Sequence, residues 1–219
     1  MKENAIIEQL NRFSADGKRM FISSSFQTHS IPLLHIISRT DVLVDVLFIN
    51  TGFHFPETLR FRDLVASDFN LNVIDISSVV PKNLQRDIEG NFFFISDPDR
   101  CCFMNKTQPM EAYLQTYDIW INGVRADQNA NRASMKVYEK TPHKCVRYHP
   151  VLDWSAKDIF HYRKLHNLPA HPLEDSGFIS IGCQPCTRKY NLDDERSARW
   201  YGMNKTECGL HTDLIKSES

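Results

Sequence analysis

The sequence predicts an α/β fold: one doubly wound domain on a mostly parallel sheet, followed by a flexible carboxyl-terminal tail. Apolar, β-branched runs recur at 20–25, 42–49, 71–76 and 119–122, and each is separated from the next by enough chain for a helix. The loops that end these runs are rich in hydroxyl, glycine and arginine residues. Strands alternating with helices give a parallel sheet whose ligand crevice lies beyond the carboxyl edge of the strands.

Segment 1–18 is polar and charged, with no apolar run like the core of a secretion signal. Nowhere do about 18 uncharged apolar residues run together, so a soluble, cytoplasmic chain without a membrane span is expected. The first strand runs into Ser23-Ser-Ser-Phe-Gln-Thr-His-Ser30 and then an apolar helix. Ser23, Ser24 and Ser25 stand where backbone amides and hydroxyls meet nucleotide phosphates. The loop lacks glycine, and a plain strand-to-helix turn accounts for its serines as well.

The second strand ends at Asn50-Thr-Gly-Phe-His-Phe-Pro-Glu57, where Thr51 and Gly52 either line the same crevice or serve the turn alone. Leu59, Leu64, Val65 and Phe69 recur at helical spacing over 56–69, with Pro56 and Glu57 suited to a first turn. Gly123-Val-Arg125 ends the fourth strand and Arg132 follows, two guanidiniums that could hold a sulfate or phosphate bidentately or simply be solvated surface. After Trp154, Ser155 and Asp158 form a capping-box pattern ahead of Ile159, Phe160 and Tyr162. Regular patterning fades beyond Gly182, which divides the chain into a domain over 1–190 and a tail over 191–219.

A length of 219 residues suits one such domain. With 26 Lys plus Arg against 27 Asp plus Glu, a net charge of -1 supplies no field to recruit nucleic acid or anionic membrane. A nucleic-acid binder needs a basic stripe with stacked aromatics that this chain does not show, so any anion must be captured locally.

The six cysteines, in a reducing compartment, point to metal binding or thiol catalysis before disulfides. Cys101 and Cys102 are adjacent, and Cys183 and Cys186 form a Cys-x-x-Cys, so folding could bring two pairs to one metal centre. A thioredoxin-like redox pair and a four-thiolate zinc site are the alternatives. Neighbouring side chains diverge, which suits a cluster offering several irons better than a single ion. Cys208 lies in Lys205-Thr-Glu-Cys-Gly-Leu-His211: Lys205 and His211 would favour its thiolate and Glu207 would oppose it, leaving nucleophile and incidental thiol both open. Cys145, beside Lys144 and Arg147, is read as a structural thiol.

In order along the chain, Ser23-Ser-Ser-Phe26, Thr51-Gly-Phe-His-Phe-Pro-Glu-Thr58, Cys101-Cys102, Gly123-Val-Arg125 with Arg132, His149-Pro-Val-Leu-Asp-Trp154, His171-Pro-Leu173, Ile181-Gly-Cys-Gln-Pro-Cys-Thr-Arg188 and Glu207-Cys-Gly-Leu-His211 resemble the sulfonucleotide reductases. The resemblance implies an adenine-nucleotide α-hydrolase-like fold, with Cys101, Cys102, Cys183 and Cys186 as ligands of a [4Fe-4S] cluster that acts electrostatically. It implies that Cys208, on a mobile tail, attacks the sulfur of adenylyl sulfate or, as runner-up, phosphoadenylyl sulfate. The thiosulfonate left on Cys208 would be reduced by thioredoxin or glutaredoxin to release sulfite. Thiolate and sulfate are both negative, so cations must offset the charge; Lys106 matches a basic family position, with Arg125, Arg188 and His211 assisting.

Three positions depart from the family pattern: Gln27 for a glycine, Asn105 for a frequent arginine and Ala126 for the second residue of an Arg-Arg pair. ATP-dependent sulfurtransferases and phosphorothioation proteins share such a fold, and the Glu207-Cys-Gly-Leu-His211 motif separates this chain from them. Association of the chain with copies of itself is left open.

Overall fold

The computed structural model describes residues 2–189, 199, 200, 203, 207–211 and 214. Most of the segment 191–219, Lys205 included, therefore lies outside the described residues. The chain begins with helix α1 (Lys2–Ala15), which buries Ile6 and Leu10 on one face, so this polar segment is an amphipathic cover for the sheet. Then follow β1 (Met20–Ser23), α2 (Ile31–Ser38), β2 (Val44–Ile49), α3 (Pro56–Asp68) and β3 (Val73–Ile76). Two short helices, α4 (Phe93–Ser96) and α5 (Pro98–Cys102), lead through a π-helical turn, Phe103–Thr107, into α6 (Gln108–Thr116). The remainder is β4 (Ile119–Asn122), α7 (Ala130–Ala133), β5 (Tyr138–Lys140), β6 (Val146–Tyr148) and α8 (Ala156–Leu165).

The six strands form one sheet in the order β3-β2-β1-β4-β6-β5, parallel except for β5, which pairs antiparallel with β6. Met20 sits between Val44 and Ile119, and Ser23 between Leu47 and Asn122. Chain progress runs outward from β1 in one direction and resumes from β4 in the other, so the switch point falls between the carboxyl ends of β1 and β4.

Alternate residues of each strand enter opposite cores, as the period of two requires. Ile22, Val46, Phe48 and Ile121 pack beneath α1, α2, α3 and α8. Phe21, Leu47 and Trp120 face Met110 and Leu114 of α6, together with Leu214 from the tail. Both faces are covered, which is why β1, β2 and β4 read as mostly apolar rather than alternating, with Asp45 the one charged residue among them.

Ser155 caps α8 as its pattern predicts: its Oγ accepts from the Asp158 amide at 3.1 Å, and Asp158 accepts from the Ser155 amide at 2.7 Å. Two helical expectations need correction. Leu64 and Phe160 are each 52% exposed, because the buried faces are set by Phe61 with Val65 and by Ile159 with Tyr162. Strands β5 and β6 have no counterpart in the sequence reading; each is three residues long, and β5 is the charged edge strand Tyr138-Glu-Lys140. Among the described residues no helix is long and apolar enough to cross a membrane.

Candidate active site at the switch point

The crevice at the switch point is walled by several chain segments. From the β1 loop come Ser23, Ser24 and Ser25, from the β2 loop Thr51, and from the π-helical turn Lys106. Ser23 Oγ accepts from Trp120 Nε1 at 2.7 Å and Ser24 Oγ from the Phe26 amide at 3.1 Å. The loop has no glycine because Phe26 itself takes the left-handed backbone, φ +52°, a conformation costly for a bulky residue and held here by its full burial. Gln27, in the glycine position of the family pattern, ties this loop to the cysteine loop: its Nε2 donates to Ser25 Oγ at 3.0 Å and its Oε1 accepts from the Ile181 amide at 2.8 Å.

The predicted anion ligands divide. Arg132 and His211 line the crevice. Arg125 does not; its buried guanidinium binds Asp127 at 2.9 Å and His29 at 2.9 Å, behind the wall that His29 forms. Burial, reinforced by Arg125, lowers the His29 pKa to about 4. Arg188 is exposed and donates to the carbonyls of Pro185 and Thr187, away from the crevice lining. Gly52, φ +72°, donates its amide to Asn50 Oδ1 at 3.2 Å and shapes the turn that presents Thr51.

All four predicted ligand cysteines line one cavity beside the crevice, with Phe53, Phe94, Pro98 and Pro185 around them. Cys183 precedes and Cys186 ends a single 3-10 turn, Gln184–Cys186, rather than opening an α-helix as a redox pair would. Thr51 Oγ1 lies 3.3 Å from Cys183 Sγ, and Asn105 Nδ2 donates to Cys101 Sγ at 3.6 Å. Burial pushes the Cys101 thiol up to about 11 and raises that of Cys186. Among the described residues no three His, Cys, Asp or Glu side chains are arranged to hold a metal ion as they stand. In number, chemistry and apolar surroundings the four thiols, none in a disulfide, nevertheless fit a thiolate-bound cluster once turned inward and deprotonated.

Lys106 lines both cavities. Burial opposes its charge, but the sulfurs of Cys208, Cys183 and Cys102 outweigh burial and raise its pKa above the ordinary lysine value. Cys208 is buried in the same apolar cluster as Cys183, Cys186 and Trp200. A hydrogen bond from Cys102, helped by Lys106, holds its thiol well below the usual pKa against the effect of burial. Glu207, which the sequence sets against activation, is bound by Arg132 at 2.9 Å. His211 is not the cation expected: burial and the nearby Arg132 and Arg147 lower its pKa well below 6.5. Its Nδ1 accepts from Arg147 Nη2 at 2.8 Å, which leaves the hydrogen on Nε2. Cys145 is buried in the second core, its thiol pushed up to about 12 by burial, in keeping with a structural role.

Arg199 is absent from the sequence reading, and Arg147 enters it only as a neighbour of Cys145. Arg199 lines the crevice and packs so closely on Gly182 that a Cβ there would strike its guanidinium. It lies in the unpatterned tail, where no signal marks it. Arg147 is fully buried over the Trp120 ring at 4.7 Å, and burial pulls its pKa down to about 10. Only the place of β6 in the sheet reveals it.

A switch-point crevice walled by hydroxyl loops, a buried cation and a lowered-pKa thiol defines a nucleotide-fold protein equipped for thiol chemistry. Residues 19–189 match the phosphoadenosine phosphosulfate reductase domain, and the chain belongs to that family. It is 37% identical over 209 residues to an adenosine 5′-phosphosulfate reductase of Chelativorans sp. (strain BNC1), covering 94% of this chain and 84% of that one. A protein of the same name from Streptomyces coelicolor is 36% identical over 217 residues, covering 95% and 89%. The fold resembles that of a phosphoadenylyl-sulfate reductase from Candida auris, with a TM-score of 0.66 at 21% identity over 80% of this chain and 87% of that one.

Proposed function

We propose that this chain reduces adenylyl sulfate to sulfite and AMP in assimilatory sulfate reduction in the cytoplasm, with Cys208 as nucleophile and thioredoxin as reductant. The observation that carries the reading is the meeting of Cys208, Lys106 and the Ser23–Ser25 and Thr51 loops in one crevice. The names of its relatives favour the nucleotide without the 3′-phosphate.

The loops hold the nucleotide, and Lys106 faces the sulfate as Cys208 approaches. The thiolate attacks the sulfate sulfur; an S–S bond forms as the bond from sulfur to the phosphate oxygen breaks, and AMP departs with that oxygen. Lys106 and Arg199 offset the charge gathered at the transferred group. An outside dithiol then attacks Cys208 Sγ, expelling sulfite, and its second thiol resolves the mixed disulfide. Cys101, Cys102, Cys183 and Cys186 would hold a [4Fe-4S] cluster, which would supply electrostatic stabilisation to the reaction when bound. The hydrogen bonds from Asn105 and beside Thr51 would orient two of its thiolates.

The test offers purified protein each radiolabelled nucleotide, adenylyl or phosphoadenylyl sulfate, without reductant. Label is expected on the polypeptide at Cys208 from adenylyl sulfate, and released as sulfite on adding thioredoxin. Cys208→Ser should keep its iron and form no sulfite, whereas Cys183→Ser should lose both. Sulfite at the normal rate from Cys208→Ser would remove it as nucleophile.

A further inference from the structure

We propose that Glu207 and Arg132 form a buried latch that seats Cys208 in the crevice, which makes both positioning residues and takes Arg132 out of the set of nucleotide ligands. The inference rests on Cys208 as the reacting thiol but not on the nucleotide used. The two side chains are 2% and 9% exposed and meet twice, Nε to Oε2 at 2.9 Å and Nη2 to Oε1 at 3.2 Å. Asn129 braces both: its Nδ2 donates to Glu207 Oε2 at 3.0 Å and its Oδ1 accepts from the Arg132 amide at 2.8 Å. Gln128 takes the remaining Arg132 nitrogen.

Glu207 is tied in turn to the nucleophile, since its Oε1 accepts from the Cys208 amide at 3.0 Å. Three residues beyond Cys208, His211 is held by Arg147 at 2.8 Å. Two arginines, one on α7 and one on β6, thus grip the tail on either side of the reacting sulfur. A bidentate, charge-assisted pair fixes orientation as well as contact. Removing one partner strands a buried charge, which solvent relieves by drawing the segment out of its seat.

The full-length protein is treated with iodoacetamide at about pH 9, where an unseated thiol is itself largely ionised, and labelling of the Cys208 peptide is followed by mass spectrometry. Glu207→Gln should raise the labelling rate about tenfold or more, lower kcat and leave the nucleotide KM within about twofold of the parent. Glu207→Asp should lie between, and the exchanged pair Arg132→Glu with Glu207→Arg should recover much of the protection. Parental labelling in folded Glu207→Gln would overturn the latch. So would a large rise in nucleotide KM for Arg132→Ala that Glu207→Gln does not share, because Arg132 would then be a ligand. Sulfite formation by Cys208→Ser would defeat the assigned chemistry, while the labelling result would still report on the latch.

Discussion

Lys106 sits where the nucleotide crevice meets the cysteine cavity, and its charge survives burial because three sulfurs surround it. Lys106→Met should slow sulfite formation by about 10²–10³-fold, the usual loss for one buried charge-stabilising donor. Single-turnover measurement with saturating nucleotide checks this; a rate within a few-fold of the parent would leave the lysine without a catalytic part. Asn105, two percent exposed, exchanges two hydrogen bonds with Gln85, at 2.6 and 3.0 Å, and holds the Cys101 carbonyl at 2.9 Å. Asn105→Ala breaks both bonds to Gln85, whose Nε2 keeps the Val80 carbonyl, and removes the brace on the Cys101 carbonyl; it should cost about 1–3 kcal/mol in urea unfolding. An asparagine in place of an arginine brings no charge to the cysteines, and in the structure it braces the cysteine turn.

At the scale of elements, the π-helical turn lets Cys102, Asn105 and Lys106 face inward between α5 and α6. The capping box on α8 was legible because it is local in sequence; Ser155→Ala should cost about 1 kcal/mol, read from the denaturation midpoint. Loops at the carboxyl edge of the sheet are held by histidines that burial keeps neutral. His171 Nδ1 accepts from the Leu173 amide at 3.2 Å and its Nε2 donates to Thr58 Oγ1 at 3.0 Å, while burial lowers its pKa to about 4, as for His29. The ordinary value is 6.5, so on acidification the unfolded chain takes up these protons before the folded one does. Their contribution is therefore complete above about pH 6.5 and is lost as pH falls towards 4. Urea midpoints should drop between pH 7 and pH 5, and His171→Gln should flatten that slope. An unchanged slope would mean that His171 titrates normally in the fold.

For the whole molecule, the cysteine cavity joins the α5 turn to the loop at 183–186, segments some eighty residues apart in the chain. A cluster bound there would tie the two, so chelating the iron should bleach the protein and lower its melting temperature by several degrees. Scanning calorimetry before and after chelation checks this; iron-free protein with an unaltered melting profile would count against a shared centre.

The α/β alternation, the first four strands, the capped helix and the order of motifs follow from sequence, because each is written in local periodicity or in neighbours a few residues apart. Tertiary structure alone decided which charges are available for chemistry. Arg125 and Arg132 look alike in the sequence, yet Asp127 occupies the first and Glu207 the second. His211 loses its expected charge to burial between Arg132 and Arg147, and Glu207 is neutralised by a partner seventy-five residues away. Solvation and charge pairing depend on distance in space, and that distance exists only once the chain has folded.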